Sequence, residues 1–264
     1  MVGSAKARTV TKAVLTLLLC VSAAADPTIS LEDAAARKPP DFNPLYEDRS
    51  VVVTGQVSKT AVRVSGFFHL PIQERGHGLV LEGGGAMFEG LSPGDWVEAH
   101  GRISKRGGLP VVLVSKITTV SNGAPPEPVA LSPAEVQNLH RLGQLVVTEG
   151  PVIEVGSNFG GSYLRMGGYG NPLKVFLPAS PNSRGFAGFA VGETVRVTGI
   201  AYQYSPTPPH LDQFELLIAD VKDVARLNRS WLPQVRVLWP VLALLATIGF
   251  NFMVVRGFRF SFTQ

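Results

Sequence analysis

Hydrophobic and polar positions divide the chain into two apolar ends and a middle that alternates. Near the start, Ala13–Val21 (AVLTLLLCV) follows Lys6, Arg8 and Lys12 and precedes Ser22-Ala23-Ala24-Ala25. A positive region, a short apolar stretch and small residues before Asp26-Pro27 predict a secretory signal over residues 1–25. The competing reading is an uncleaved anchor, for which the run is short. Near the other end, Val237–Val255 (VLWPVLALLATIGFNFMVV) is apolar apart from Asn251. As a helix rising ~1.5 Å per residue it would be roughly 28 Å long, which matches the hydrocarbon core. Pro240 sits in its first turn, where a missing N–H costs little. Trp231 and Trp239 suit the headgroup level. The expectation is a single transmembrane helix over 237–255, a juxtamembrane stretch over 229–236 and a cytoplasmic tail over 256–264. The translocated body sets this orientation, because arginines flank the span on both sides (Arg226, Arg229, Arg236; Arg256, Arg259).

Between the ends, the pattern has period two and repeats. Ser30-Leu31-Glu32-Asp33 and Ser132-Pro133-Ala134-Glu135 each open a short acidic helix, with the acids placed to suit the helix dipole. Each helix leads to a β-branched strand ending in glycine, Val51-Val52-Val53-Thr54-Gly55 and Val146-Val147-Thr148-Glu149-Gly150. Further on, the turns Gly94-Asp95 and Gly192-Glu193 precede alternating strands. In these, Trp96, Glu98 and His100 alternate with Val97 and Ala99, and Thr194, Arg196 and Thr198 with Val195 and Val197. Gly101 and Gly199 then permit a bend or bulge. Gly78–Glu82, Tyr163–Met166 and Leu173–Leu177 read as middle-hairpin strands, the last two joined by Gly167-Gly168-Tyr169-Gly170-Asn171.

Five short strands in each of two units, in the order strand, hairpin, turn, hairpin, predict a mainly β protein. The expected architecture is two tandem five-stranded OB-fold-like Greek-key barrels, plus one C-terminal transmembrane helix. The first barrel with its lead helix takes residues 26–121, a Pro-rich linker 122–129, and the second barrel with its lead helix 130–228.

Composition narrows the functional classes. The chain has 264 residues, 45% hydrophobic and 17% charged, which excludes disorder throughout. One Cys excludes a disulfide framework and any zinc site needing two thiolates, and Cys20 would depart with the signal. The formal charge of +4 invites a nucleic-acid partner. Residues 26–230, however, hold all 20 acids against 18 bases, a net of −2, and the other bases flank the apolar ends. Strong binding to a phosphate backbone is therefore disfavoured.

The Gly-Asp/Glu-x-Val-x-x-x-Gly strand, the acidic lead helix and the Pro-rich linker resemble the periplasmic tandem OB-fold-like region of bacterial membrane sensor proteins. In that family, one membrane helix and then a histidine kinase or diguanylate cyclase follow. The resemblance covers about residues 27–258. It implies a bacterial inner-membrane protein with its body in the periplasm and a role in signal transduction. This sequence has no kinase His-box, nucleotide-binding segment or cyclase GG motif, so catalytic output is not implied.

No catalytic constellation is legible. His69, His77, His100, His140 and His210 show no i, i+4 pair and no H-E-x-x-H, so no metal site and no cofactor is expected. No G-x-S-x-G or G-x-x-x-x-G-K-[ST] occurs. OB-folds bind ligands on the face of their second and third strands. Candidates for that face are Arg63, Phe67 and Phe68 in the first unit, and Tyr163, Arg165 and Tyr169 in the second. Tyr202 and Tyr204, which share one strand face at i, i+2, join them with His210. Rings beside arginine stack sugars, bases or peptide groups. The expected function is a non-catalytic, membrane-anchored ligand-binding or sensory module. Its expected partners are the membrane, a second copy, or a signalling partner; an envelope structural or assembly protein is the alternative. Ala243, Ala246 and Gly249 in the span would permit close helix contact.

Overall fold

The computed structural model describes residues 26–168, 170–181 and 184–227. The expected signal and membrane span lie outside the described residues. Among the described residues, no helix is long and apolar enough to cross a membrane.

The protein is mainly β and forms two closed five-stranded barrels. Barrel 1 contains β1 (Ser50–Val57), β2 (Phe67–Glu74), β3 (His77–Gly83), β4 (Trp96–Arg106) and β5 (Leu109–Ser121). They hydrogen-bond in the order β1-β4-β5-β3-β2, and β2 returns to β1 through Gln56–Gln73 and Val57–Ile72. Barrel 2 contains β6 (Leu145–Asn158), β7 (Gly161–Met166), β8 (Leu173–Pro178), β9 (Thr194–Gln203) and β10 (Phe214–Leu217). Its order, β6-β9-β10-β8-β7 closed by β6–β7, repeats that of barrel 1. In both barrels the third and fifth strands run parallel and all other barrel neighbours antiparallel. This is the OB-type Greek key that the strand spacing predicts.

The repeat extends to the supports. Helix α1 (Leu31–Ala35) is capped by Ser30, whose hydroxyl accepts from the Asp33 N–H at 3.0 Å. Helix α2 (Pro133–Val136) has the fuller capping box of Ser132 and Glu135. Leu31 and Ala34 drop into the core of barrel 1, and Val136 into that of barrel 2. Each lead segment also adds a short parallel pairing to the first strand of its barrel, Thr28 to Val52 and Val129 to Val146. The paired glycines have packing reasons. A Cβ on Gly101 would lie 2.4 Å from the Leu113 carbonyl oxygen, and one on Gly199 would lie 2.7 Å from that of Leu217. The β4–β5 register slips between His100 and Gly101, the bulge expected there.

Alternation along the strands fills each barrel. Val51, Val53, Leu70, Ile72, Leu79 and Leu81 point into barrel 1, and Val146, Leu164, Val175, Val195, Val197 and Leu216 into barrel 2. A third apolar cluster lies outside both barrels. Val62, Val80, Leu109 and Val111 of barrel 1 meet Leu142, Leu145, Phe176, Ile200, Tyr202 and Leu217 of barrel 2. The barrels are thus pressed face to face. Gly78 and Gly143 let the backbones touch: a Cβ on Gly78 would lie 2.2 Å from the Gly143 carbonyl carbon. The linker does not hang free, since Gln56 Nε2 donates to the Ala124 carbonyl at 2.8 Å.

Candidate functional site

The face-to-face packing decides which OB surface is open. In barrel 1, Leu70 and Ile72 of β2 point inward, so His69 and Pro71 point out, and both are covered. That barrel's ligand face is therefore the seat of barrel 2.

A polar chain lies at the centre of the seat. Glu82 is 2% exposed and accepts from Arg106 Nε at 2.6 Å, with Arg106 Nη2 on its other oxygen. The His69 Nε2 lies 3.1 Å from Glu82, and the His69 Nδ1 lies 3.0 Å from the Tyr202 hydroxyl of barrel 2. One neutral tautomer satisfies both bonds, with Nε2–H donating to Glu82 and the Tyr202 O–H donating to Nδ1. Burial pushes the Glu82 carboxyl up, but hydrogen bonds from His69 and Arg106 outweigh it and hold its pKa at about 2. Tyr202 is driven upward by burial first and by the charges of Glu215 and Glu82 next.

The corresponding face of barrel 2 is partly open. A cleft of about 490 Å³ lies between the β6–β7 turn and the loop after β9. Tyr163 and Arg165 from β7, Lys174 from β8, and Tyr204, Phe214 and Glu215 from the end of the barrel line it. Strand register brings them together: Arg165 pairs with Lys174, and Lys174 with Glu215. The Tyr163 hydroxyl donates to Glu154 at 2.8 Å, and Arg165 Nε lies 3.5 Å from the same carboxylate. The hydrogen bond to Glu154 raises the Tyr163 pKa. Its ring leans over Gly156, where a Cβ would sit 2.5 Å from the Tyr163 oxygen. Lys174 Nζ lies 2.8 Å from Glu215 and 4.7 Å from the centre of the Phe176 ring. Burial raises the Glu215 pKa, and Lys174 opposes the rise. The groove is aromatic and paired in charge, with Tyr204 55% exposed at its rim. It continues toward barrel 1 as a second cleft of about 490 Å³, bordered by Val64, Ser65 and Phe159. The Phe159 ring at the β6–β7 turn is fully exposed.

The residues singled out in the sequence divide accordingly. Tyr163, Arg165 and Tyr204 converge on the groove. Tyr169 lies outside the described residues. Tyr202 does not share a solvent face with Tyr204: it is 3% exposed and stacks on His69 with ring centroids 5.8 Å apart. It is an interface residue that reaches only the inner end of the second cleft. His210 is 2% exposed, with its Nδ1–H donating to the Ser205 carbonyl at 2.6 Å. It pins the loop after β9 rather than facing a ligand. Arg63 stands exposed on the short strand Val62–Val64, opposite Phe68 in register. Phe68 packs against the core of barrel 1, while Phe67 lies outside beneath the Arg106 guanidinium at 4.6 Å. None of these three lines the groove of barrel 2. Lys174 and Glu215 were missed. The outward parity of Lys174 in LKVFLP was available in the sequence, but the β8–β10 pairing that places Glu215 beside it was not.

Among the described residues, no group of three or more His, Cys, Asp or Glu is placed to hold a metal ion. No family model matches the chain, and no curated protein matches it. Several solved structures are similar to it. Asparaginyl-tRNA synthetase from Pyrococcus horikoshii is 18% identical over 33% of this chain and 23% of that chain, with a TM-score of 0.28. A murine DNA binding protein bound with double-stranded DNA is 10% identical over 67% of this chain and 97% of that chain, with a TM-score of 0.36. The hypothetical protein ygiW from E. coli is 17% identical over 35% of this chain and 89% of that chain, with a TM-score of 0.27. The chain spans about a quarter of the synthetase's length. These likenesses say nothing of function, and the fold rests on the strand order itself.

Proposed function

We propose that this chain is a membrane-anchored, extracytoplasmic ligand-binding module of a signal-transduction system, with no catalysis of its own. The observation that carries the binding role is the open groove of barrel 2. Of the two OB faces, one is closed by the other barrel, and the one left open holds Tyr163, Tyr204 and Phe214 beside Arg165 and Lys174. Its cations are matched by Glu154 and Glu215, which favours an uncharged or zwitterionic ligand that stacks on rings, such as a sugar or a peptide segment. The apolar run at 237–255 and the signal-like residues 1–25 support the membrane tether and the periplasmic location in the bacterial inner membrane.

The test places a photo-crosslinking residue at Tyr204 in the full chain in membranes. A soluble ligand captured there, together with co-purification of a kinase or cyclase, is the expected result. Affinity for that ligand should fall at least tenfold in Arg165→Ala and in Tyr204→Ala. Unchanged affinity in both variants removes the groove from the proposal. Phe159 favours a second reading, because an exposed ring on a hairpin tip suits protein contact. Crosslinks from that ring to envelope machinery alone would support a structural or assembly role.

A further inference from the structure

A third cleft, of about 340 Å³, opens between the lead segment of barrel 1 and the short 3-10 turn Leu139–Arg141 of barrel 2. Ala35, Ala36 and Phe42 form one wall, and Leu139 and Leu142 form the other. Arg37 stands between them. Its Nη2 donates to Gln203 Oε1 at 2.9 Å, and its Nη1 to the His210 carbonyl at 3.4 Å. Both acceptors are neutral. Burial without a counter-charge pushes its pKa down to about 10.

Arg141 likewise donates to a neutral amide, that of Gln144 at 3.5 Å, but several arginines are neutralised. Arg102, Arg106, Arg165, Arg196 and Arg226 each hold a carboxylate. Among the described residues, none is paired with Arg37, although it is more deeply placed than these. Among the described residues, the acid that lines the cleft is Glu32, which lies 3.6 Å from His77. A guanidinium carries five N–H donors, and among the described residues two hydrogen bonds from Arg37 find acceptors. Arg37 also satisfies the side-chain oxygen of the buried Gln203 amide. Gln203 Nε2 already donates to the carbonyls of His210 and Asp212, each at 2.9 Å. Keeping a half-buried, unneutralised cation costs stability, and an anion entering from solvent would recover that cost.

We propose that this inter-barrel cleft binds a small organic anion, a carboxylate or phosphate monoester on an apolar body, with Arg37 as its charge partner. The apolar body lies against Ala36, Phe42, Leu139 and Leu142. Because the walls come from both barrels, occupancy ties barrel 1 to barrel 2 and stabilises their docked arrangement. The site is separate from the aromatic groove and does not depend on membrane attachment.

The experiment titrates the full chain calorimetrically with benzoate, phenyl phosphate and the neutral benzamide. Saturable binding of at least one anion is expected, with benzamide at least tenfold weaker. The tighter anion identifies the headgroup class. Arg37→Gln should lose at least tenfold in anion affinity without changing benzamide, Arg37→Lys should retain the anion preference, and Ala36→Trp should block all three. Absence of saturable anion binding at millimolar concentrations, equal affinity for benzamide, or unaltered anion binding by a folded Arg37→Gln would overturn the proposal. If Arg37→Gln does not fold, the preference of the unsubstituted chain for anion over amide and its loss in Ala36→Trp decide the question.

Discussion

Removing the charge of Glu82 should loosen the docking of the barrels, with a pH signature that no surface carboxylate would share. Glu82→Gln keeps the side chain's shape but ends the charge-assisted bonds from Arg106 and weakens the one from His69. A hydrogen bond to a charged group contributes about 1.5–3 kcal/mol. The Arg106 side chain is partly open to water and recovers part of its loss by hydration. A net cost of about 2–4 kcal/mol at pH 7 follows, or a Tm lower by roughly 5–15 °C for a body of this size. The linkage gives the same scale. The Glu82 pKa falls from 4.5 to about 2 on folding, and each unit is worth about 1.4 kcal/mol. Because the folded value is the lower one, the stabilisation is complete above the unfolded value and fades as pH drops from about 5 toward 2. Circular-dichroism melts of the full chain should therefore show a large gap between Glu82→Gln and the unsubstituted protein at pH 7, narrowing below pH 5. Glu98→Gln, which loses only a surface contact with His100, should stay within about 1 kcal/mol throughout. A Glu82→Gln protein melting with the unsubstituted chain at pH 7, or a gap of constant size down to pH 2.5, would refute this account of the interface.

Three further outcomes follow from the packing. Gly78→Ala should cost about 3 kcal/mol or more, because its methyl would strike the Gly143 and Gln144 backbones, whereas Gly84→Ala, with open space around it, should leave the melting curve unchanged. Lys174→Met should destabilise by about 3 kcal/mol by leaving Glu215 buried and unpaired, and adding Glu215→Leu should restore most of the loss, as a double-mutant cycle would show. Ser132→Ala should cost about 1 kcal/mol in a chemical-denaturation curve, through loss of the capping box of α2.

Much of the architecture was legible because local and global requirements agree in each unit. A capping serine, an acidic first turn, an alternating strand and a turn glycine recur in the same order, and each recurs for the same steric or electrostatic reason. The site was less legible because parity along a strand shows which residues leave the barrel and not what they meet outside it. Tyr202 and Tyr204 illustrate the difference. They are two residues apart, yet Tyr202 is covered by His69, while Tyr204 rests beside Gly107 of barrel 1 and stays 55% exposed. His210 looked like a loop ligand, but its ring turns back onto Ser205.

The docking itself did leave a trace in the pattern. In β3 the run Leu79-Val80-Leu81, and in β5 the run Pro110-Val111-Val112, are apolar at every position rather than at alternate ones. An antiparallel barrel strand with one solvated face should alternate, whereas a continuous apolar run marks a strand covered on both sides. Leu79, Leu81 and Val112 fill the barrel, and Val80 and Val111 supply the outer cluster that meets barrel 2. The equivalent strand of barrel 2 breaks that rule at Lys174, the point where coverage stops and the groove begins. Two copies of one barrel thus acquired different fates through a few outward positions. Apolar residues there make barrel 1 a platform, and a lysine among aromatic rings marks the part of barrel 2's face that stays open to solvent.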